Sequence, residues 1–360
     1  MTRKERLEAV IAGERPDRTP LLGGWIAAPS LIMEITAKPA EEYWADPIGV
    51  SIEAYDRLGM DGLIGVFVPR HQDDFRCIDG ESYMKADKGL TLEEAVAAID
   101  DMPSAEEVEA SFDFDAAYQI FRDELIQGQR RAGDMLWMPA QWLAAPHVTW
   151  YAELGYEAFL MVIGLHEDRG AKLMQIGGAR GRNQCRLIAR AVEEELYPRA
   201  VLLGEDICTQ RGPMVSPDFL EKHYLPALVH GFEPLLKVGC KPIWHCDGDV
   251  RPLLPMLIES GVQGLQGFQP ECGMDIDSMA RLRTRDGEKL VLFGPLSVTT
   301  ELPVCTPEEI RAKTRHAIEV CRDQAHLVLF TANTINPDIP LENLRAMYDE
   351  ARREERGADG

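Results

Sequence analysis

Short apolar runs recur along the chain, and each is bounded by residues that are typical of turns. Eight of these runs have the length of a buried strand. They lie at Thr19–Ile26, Gly62–Val68, Leu136–Leu143, Ala200–Gly204, Lys241–His245, Gly264–Phe268, Leu290–Phe293 and His326–Thr331. The pattern therefore predicts eight β-strands.

Longer segments with helical spacing separate these runs. The first helix is predicted at Arg3–Gly13, where Leu7, Val10 and Ile11 share one face. Further helices are predicted at Leu92–Ile99, Phe114–Gln127, Tyr156–Gln175, Arg180–Leu196, Pro217–Val238, Val250–Ser260, Met274–Leu282 and Thr306–Cys321. Strands that alternate with helices pair in parallel through right-handed crossovers, and eight of them favour a closed (β/α)8 barrel over an open sheet. We expect an α/β protein, a TIM barrel with an N-terminal helical extension.

The chain has 360 residues, which fits one large barrel or two ordinary domains. Neither a linker nor a repeat divides the sequence. We therefore expect residues 1–350 to form one barrel and residues 351–360 to form a frayed C-terminal tail.

Charge and composition narrow the possible partners. The chain carries 38 Lys and Arg against 60 Asp and Glu, a net charge of −22. This charge repels phosphate backbones and anionic lipids, so neither nucleic acid nor a membrane is expected as a partner. The N-terminus lacks an apolar signal core, and the 8 cysteines form no CxxC pair. A cytoplasmic location is expected.

Catalytic residues of a (β/α)8 barrel lie at the C-terminal ends of its strands. The most informative strand end here is the sequence PIWHCDGD at 242–249. Because side chains alternate along a strand, Ile243, His245 and Asp247 are expected on one face, and Trp244 and Cys246 on the other.

The neighbouring strand ends add further metal-binding groups. Glu205 and Asp206 end the preceding strand, and Cys272 follows the next one. Imidazole, carboxylate and thiolate together suit an open zinc site, and His245, Asp247, Glu205 and Cys272 are the predicted ligands. The alternatives stay open: a rim histidine held by hydrogen bonds, and a cysteine that only packs.

Other strand ends carry residues for proton transfer and for binding a substrate. His71 and His147 are candidate general acids or bases, with a rim position as the alternative for each. The candidate substrate-binding residues comprise a cation that could clamp an anionic group, two rings that could wall a pocket for a flat ligand, and two amides: Arg70, Trp25, Trp142, Gln210 and Asn333. The sequence has no GxGxxG after a strand, no Walker loop and no GxSxG motif.

Several segments resemble the uroporphyrinogen decarboxylase superfamily. They are RKERLEAVIAGERPDRTP at 3–20, WHCDGDVRPLLP at 244–255, GVQGL at 261–265, QP at 269–270, GMDI at 273–276, Gly294 and PLEN at 340–343. The resemblance extends over nearly the whole chain and implies a (β/α)8 barrel that is frequently a homodimer.

Two chemistries occur in that superfamily, and the sequence departs from the first. The decarboxylases carry an arginine-rich stretch after the first strand, which holds the many carboxylates of the porphyrinogen. Residues 23–33 here read GGWIAAPSLIM and contain no arginine. Buried carboxylates would have no cationic partner in such a pocket.

The second chemistry is that of the corrinoid-dependent methyltransferases, in which zinc activates a methyl donor or acceptor. Their thiol-methylating members use a His-x-Cys pair and a further Cys near the last strand, whereas this chain has Asp247 in the pair and TANTIN at 331–336. The resemblance therefore implies the O-demethylase branch, with zinc bound by the chain and a corrinoid (cobalamin) carried by a partner protein. A methoxylated small molecule, such as an aryl methyl ether, is the expected donor. A decarboxylase of a porphyrinogen or another carboxylated substrate is the first alternative, and a binding protein without turnover is the second.

Overall fold

The computed structural model of the chain describes residues 1–68, 76–78, 81–83 and 89–357. The candidate residues Arg70 and His71 lie outside this described part, and so do residues 358–360.

Eight parallel strands form the centre of the described structure. In chain order they are β1 (Leu22–Gly23), β2 (Gly62–Leu63), β3 (Leu136–Trp137), β4 (Ala200–Gly204), β5 (Lys241–His245), β6 (Gly264–Gln266), β7 (Val291–Leu296) and β8 (His326–Thr331). Each pairs with its neighbour in sequence within two groups, β1 to β3 and β4 to β8.

Backbone contacts join these two groups at both seams. Leu21 forms a parallel bridge with Leu329, whose N–H donates to the carbonyl of Pro20 at 2.9 Å. At the other seam the N–H of Gln141 donates to the carbonyl of Leu202 at 2.8 Å. The strand order is therefore circular, which confirms the predicted (β/α)8 barrel.

Helices surround the strands. Those in the described residues are α1 (Arg3–Ala12), α2 (Pro29–Thr36), α3 (Ala40–Ala45), α4 (Pro47–Arg57), α5 (Leu92–Asp101), α6 (Ala105–Ala110), α7 (Phe114–Ala132), α8 (Tyr151–Leu154), α9 (Tyr156–Leu165), α10 (Glu167–Glu193), α11 (Pro217–Phe219), α12 (Leu225–Lys237), α13 (Leu254–Ser260), α14 (Ile276–Met279), α15 (Pro307–Gln324) and α16 (Leu341–Gly357). Single helical turns occur at Trp142–Ala144, Arg251–Leu253 and Pro270–Cys272, and a wider turn at Leu220–Tyr224 precedes α12. None of the helices in the described residues has the length and hydrophobicity to cross a membrane.

Two short antiparallel hairpins complete the elements. One pairs Arg76–Ile78 with Glu81–Tyr83, and the other pairs Cys208–Thr209 with Gly212–Pro213. The second hairpin follows β4 directly and lies at the C-terminal end of the barrel.

The core divides into an inner and an outer layer. The inner cluster fills the barrel with side chains such as Leu202, Ile243, Phe293 and Phe330. The apolar face of α1 belongs to this cluster, since the helix packs on β2, β3 and β8. It covers the N-terminal end of the barrel, and the C-terminal end stays available for chemistry.

The predicted elements agree with the structure in position more than in length. All eight strands are present, but regular pairing in the first three is limited to two residues each. The segments predicted at Tyr156–Gln175 and Arg180–Leu196 divide differently, because α10 runs unbroken over Glu167–Glu193. Six helices were not predicted: α2, α3, α4, α6, α8 and α16. The last of these continues to Gly357 through residues expected to fray.

Candidate metal site at the C-terminal end of the barrel

The ends of β4 and β5 bring three metal-binding side chains together. His245 is the last residue of β5, Asp247 follows it by two residues, and Asp206 follows β4 by two. One ligand atom from each of the three lies within 4.8 Å of the others. Two of the four predicted metal ligands, His245 and Asp247, belong to this group.

Strand alternation explains why these residues meet. Ile243 lies in the inner core cluster, and Trp244 and Cys246 lie in the outer one. His245 and Asp247 continue the inward face at the end of β5, as predicted. The thiol of Cys246 faces away from this group and donates to the carbonyl of Asp247 at 3.2 Å.

Two glycines at the ends of the neighbouring strands make room for His245. A Cβ on Gly204 would lie 2.0 Å from the carbonyl oxygen of His245. Gly267 has a φ of +83°, and a Cβ there would lie 2.7 Å from Nδ1 of His245. A larger residue at either position would displace the strand backbone or the imidazole.

The imidazole of His245 is buried, and its two nitrogens have different surroundings. Nδ1 forms a hydrogen bond with Oε1 of Gln266. Nε2 lies 3.6 Å from Oδ1 of Asp206 and 4.0 Å from Oδ1 of Asp247. Zinc ligands lie about 2.1 Å from the ion, so two tetrahedral donors are about 3.4 Å apart. The observed spacing is close to this value.

Asp247 has one oxygen that is satisfied and one that is not. Its Oδ2 accepts a hydrogen bond from Nδ2 of Asn333, whereas its buried Oδ1 has no hydrogen-bond partner among the described residues. Burial raises the pKa of Asp247 to about 6, and the negative charges of Asp206 and Glu271 act in the same direction against the opposing effect of His245. A buried carboxylate oxygen without a partner is costly unless a cation or a proton occupies the space beside it.

The donor set fits a divalent metal ion. It consists of one imidazole nitrogen and two carboxylate groups, with no thiol among the described ligand atoms. Asp206 has a side chain that is 60% exposed, and its Oδ1 also accepts from the backbone N–H of Asp247 at 2.9 Å. One face of the group is therefore open to solvent, as an open catalytic site requires.

Glu205 and Cys272, the other two predicted ligands, lie outside this group of described ligand atoms. Glu205 accepts hydrogen bonds from the backbone N–H and hydroxyl of Thr149 at 3.1 and 2.7 Å, and it contacts Nδ1 of His147. Cys272 is buried in a helical turn, and its thiol donates to Oε1 of Gln269 at 3.7 Å. The four-residue set stays a prediction, and Asp206 is the carboxylate that the structure places beside His245.

His147 forms a second polar pair with Glu205. Burial lowers its pKa, but the hydrogen bond and charge of Glu205, together with the charge of Glu153, outweigh burial and raise it overall. The side chain is 34% exposed. A histidine held in this way could carry a proton near neutral pH, which is the role predicted for it.

Two of the candidate substrate-binding residues, Trp25 and Trp142, border His245. The ring centroids of Trp25 and Trp142 lie 5.6 and 5.4 Å from that of His245, and 6.0 Å from each other. Trp142 is 42% exposed. Trp150, in contrast, is fully buried and packs on His147.

The remaining candidates have different positions. Gln210 is exposed in the turn of the hairpin after β4, with no described contact to the metal-binding group. The side-chain amide of Asn333 donates a hydrogen bond to the carboxylate of Asp247. Gln266 was not among the candidates, although it is a polar residue within an apolar strand, and that position is the signal that could have identified it.

Two sizeable cavities lie at the opposite end of the barrel. They have volumes of about 600 and 720 Å³ and flank α1, the first near His326 and the second near Tyr197. Because barrel enzymes react at the C-terminal end, the donor set and not cavity size identifies the candidate site.

Comparison with known proteins agrees with the family resemblance. Residues 200–354, which contain β4 to β8 and the whole metal-binding group, match the family model of uroporphyrinogen decarboxylase (URO-D). The match shows that this part, which is less than half of the chain, is similar to that family. The recognition of that superfamily in the sequence is confirmed.

Two similar proteins come from Methanosarcina mazei. A methylated-thiol–coenzyme M methyltransferase is 31% identical over 111 residues, which are 31% of this chain and 27% of that protein. The match thus spans about a quarter of that curated relative. A solved methyltransferase structure has a TM-score of 0.63 at 17% identity, covering 98% of this chain and 99% of the other. At this identity the likeness shows that the two share a fold.

Proposed function

We propose that the protein is a zinc-dependent methyltransferase that moves a methyl group from a methoxylated small molecule to a corrinoid protein. An aryl methyl ether is the donor that we favour. The match to the uroporphyrinogen decarboxylase family model and the similarity to methyltransferases support methyl transfer in general. The donor, the metal and the partner are our proposals, and so is a homodimeric assembly.

The observation that carries the proposal is the group of Asp206, His245 and Asp247. It combines a nitrogen and two carboxylates whose ligand atoms lie within 4.8 Å of one another, at the end of the barrel where such enzymes react. A ligand set rich in oxygen suits a donor that reacts through an ether oxygen better than one that reacts through sulfur. We therefore favour an ether donor over a methylated thiol, which is the donor in the name of the relative.

Each residue near the group has a proposed task. Asp206, His245 and Asp247 would hold zinc, which when bound supplies a Lewis acid that draws electron density from the ether oxygen. Trp25 and Trp142 hold a flat donor beside His245. His147, supported by Glu205, delivers a proton to the donor oxygen once its bond to the methyl carbon has broken.

The corrinoid partner must reach the methyl carbon from outside the barrel. A corrinoid is too large to enter the closed barrel, whose interior is filled with apolar side chains. The partner protein must therefore dock over the C-terminal end. We expect the isolated chain to bind the donor but to transfer no methyl group without a corrinoid or its protein.

Decarboxylation is the alternative function. The segment 23–33, which contains Trp25, offers no arginine to hold the carboxylates of a porphyrinogen. A decarboxylase of this family also has no use for the metal-binding group, because its reaction requires no metal.

The decisive experiment combines metal analysis with an assay of transfer. We expect about one zinc per chain after purification without chelator, and loss of a methyl group from a methoxylated arene only when a corrinoid protein is added. A chain that retains no transition metal after zinc is supplied would refute the zinc mechanism. Release of carbon dioxide from a carboxylated substrate by such a metal-free chain would support the decarboxylase.

A further inference from the structure

We infer that Gln266 is a positioning residue that fixes the ring tautomer of His245, with the proton on Nδ1 and the lone pair of Nε2 directed at the two aspartates. The role of that lone pair as a metal ligand rests on the proposed function. The tautomer itself does not rest on the proposed function, because it follows from the hydrogen bonds of the chain alone.

The orientation of the Gln266 amide is set by its surroundings. The side chain is 2% exposed, and its Nε2 donates to the carbonyl oxygens of Thr331 and Ala332, both at 2.9 Å. If the amide were rotated by 180°, Oε1 would face two carbonyl oxygens and both hydrogen bonds would be lost. The oxygen of Gln266 is therefore the atom that faces His245.

The orientation of the amide determines the state of the imidazole. Oε1 of Gln266 has no proton to give, so the hydrogen bond between it and Nδ1 of His245 requires a proton on Nδ1. In the neutral ring Nε2 then carries the lone pair. This nitrogen faces Asp206 and Asp247 at 3.6 and 4.0 Å. Without a cation, three electron-rich atoms would face one another.

Asn333 constrains Asp247 by the same logic. Its Oδ1 accepts from the backbone N–H of Thr334 at 2.6 Å, so its Nδ2 is the atom that contacts Oδ2 of Asp247. That contact leaves Oδ1 of Asp247 as the oxygen that faces His245. Both amides are thus anchored on residues 331–334, at the end of β8. The structure directs one free atom of each ligand, Nε2 and Oδ1, into the same space.

Three variants test the inference. Gln266→Leu keeps the size of the side chain but removes the acceptor for Nδ1 and the donor for the two carbonyls. Gln266→Glu keeps an acceptor for Nδ1 and loses the two donors. Asn343→Leu is the matched control, since Asn343 is a buried amide whose Nδ2 donates to the carbonyls of Leu302 and Cys305 at 2.8 Å, away from the metal-binding group.

The first measurement is the zinc dissociation constant, obtained by competition with a chromophoric chelator. Gln266→Leu is expected to weaken zinc binding about 10- to 100-fold, the usual effect of losing a group that orients a metal ligand. Gln266→Glu is expected to stay within about threefold of wild type, because it still holds Nδ1–H. Asn343→Leu should lower the melting temperature and leave the dissociation constant unchanged.

The second measurement reads the tautomer directly in the metal-free protein. Long-range ¹H–¹⁵N spectra of labelled histidine at about pH 8, above the ordinary histidine pKa, distinguish a proton on Nδ1 from one on Nε2. His245 is assigned from its absence in His245→Ala. We expect the proton on Nδ1 in wild type and Gln266→Glu, and a mixture in Gln266→Leu.

The outcomes separate this inference from the proposed function. If Gln266→Leu retains both the Nδ1–H tautomer and the zinc affinity of wild type, Gln266 does not position His245. The same conclusion follows if zinc affinity in all three variants simply tracks the melting temperature. If wild type binds no zinc but its spectra change as expected in Gln266→Leu, the metal proposal fails and the positioning role of Gln266 stands.

Discussion

Replacing Asp206 by asparagine tests which carboxylate at the end of β4 serves the metal. The sequence pointed to Glu205, whereas the structure places Asp206 beside His245 and Asp247. Asparagine has nearly the same shape, and its Oδ1 can still accept the hydrogen bond that the backbone of Asp247 donates to Asp206 at 2.9 Å. The exchange therefore removes a negative charge and leaves the local backbone contact in place.

The effect on the metal-free protein should be small. Ligand oxygens of Asp206 and Asp247 lie within 4.8 Å, so their repulsion is about 0.9 kcal/mol in a water-like medium and about 3.5 kcal/mol at a dielectric constant of 20. Because the Asp206 side chain is 60% exposed, the lower value applies. The weaker hydrogen bond of a neutral acceptor costs about 0.5–1 kcal/mol, which nearly cancels the stabilisation from removing the repulsion between the two carboxylates. For 360 residues, 1 kcal/mol corresponds to about 1.3 °C, so the melting temperature should change by no more than about 2 °C.

The effect on metal binding should be large. Loss of a group that merely orients a ligand costs about 10- to 100-fold in affinity. Loss of a ligand charge should exceed that range, so we expect at least about 100-fold, or about 2.7 kcal/mol. The assay is competition for zinc with a chromophoric chelator, combined with thermal unfolding of the metal-free protein.

Glu205→Gln is the matched control at the adjacent residue. It weakens the hydrogen bonds from Thr149 and the contact with His147, so it should destabilise the fold by about 1–2 kcal/mol. Zinc affinity should stay within about threefold of wild type, because Glu205 is outside the ligand group. If Glu205→Gln loses zinc while Asp206→Asn keeps it, the assignment of Asp206 is wrong and the ligand predicted from the sequence is correct.

Three further predictions concern the site and the fold. His245→Ala should abolish stoichiometric zinc binding with little change in melting temperature, measured by metal analysis and calorimetry; a destabilised variant with full zinc content and activity would contradict the ligand role. Asp61→Asn should destabilise the fold by about 3–5 kcal/mol in urea unfolding, because the fully buried Asp61 accepts from Arg6, Arg18 and a backbone N–H; a loss under about 1 kcal/mol would show that the two arginines are solvated instead. The hydrogen bond from Arg6 lowers the pKa of Asp17, so its contribution to stability is complete above the unfolded pKa of about 4 and is lost as the pH falls from there through the lower folded-state pKa. The difference between the urea midpoints of Asp17→Asn and wild type should therefore shrink steadily as the pH is lowered below about 4.

Local patterns in the sequence were enough to locate the barrel. Short apolar runs bounded by turns gave all eight strands, and a buried parallel strand requires such runs. The missed helices have other causes. The segment 26–61, for example, contains α2, α3 and α4, which are short and have a proline at or just before the first residue. Such short helices show too few turns for the helical spacing of apolar residues to stand out in the sequence.

The sequence also determined which strand end carries the chemistry, and which side chains of that strand share a face. Alternation along β5 separates His245 and Asp247 from Trp244 and Cys246, because it is a local property of an extended backbone. The position of Asp206 beside them is not local. It depends on where β4 ends after Gly204 and on how the loop that follows turns, and adjacent residues such as Glu205 and Asp206 face opposite ways there.

Only the tertiary structure decided how the ligands are oriented. Gln266 and Asn333 are 67 residues apart in sequence, and nothing near either of them specifies a partner. The closed barrel brings the end of β6 and the segment after β8 next to β5, where both amides are held by the backbone of residues 331–334. A side-chain amide offers a donor and an acceptor in either direction, so its sequence position carries no information about its orientation. The surrounding carbonyl and N–H groups set that orientation, and they are assembled only when the chain folds.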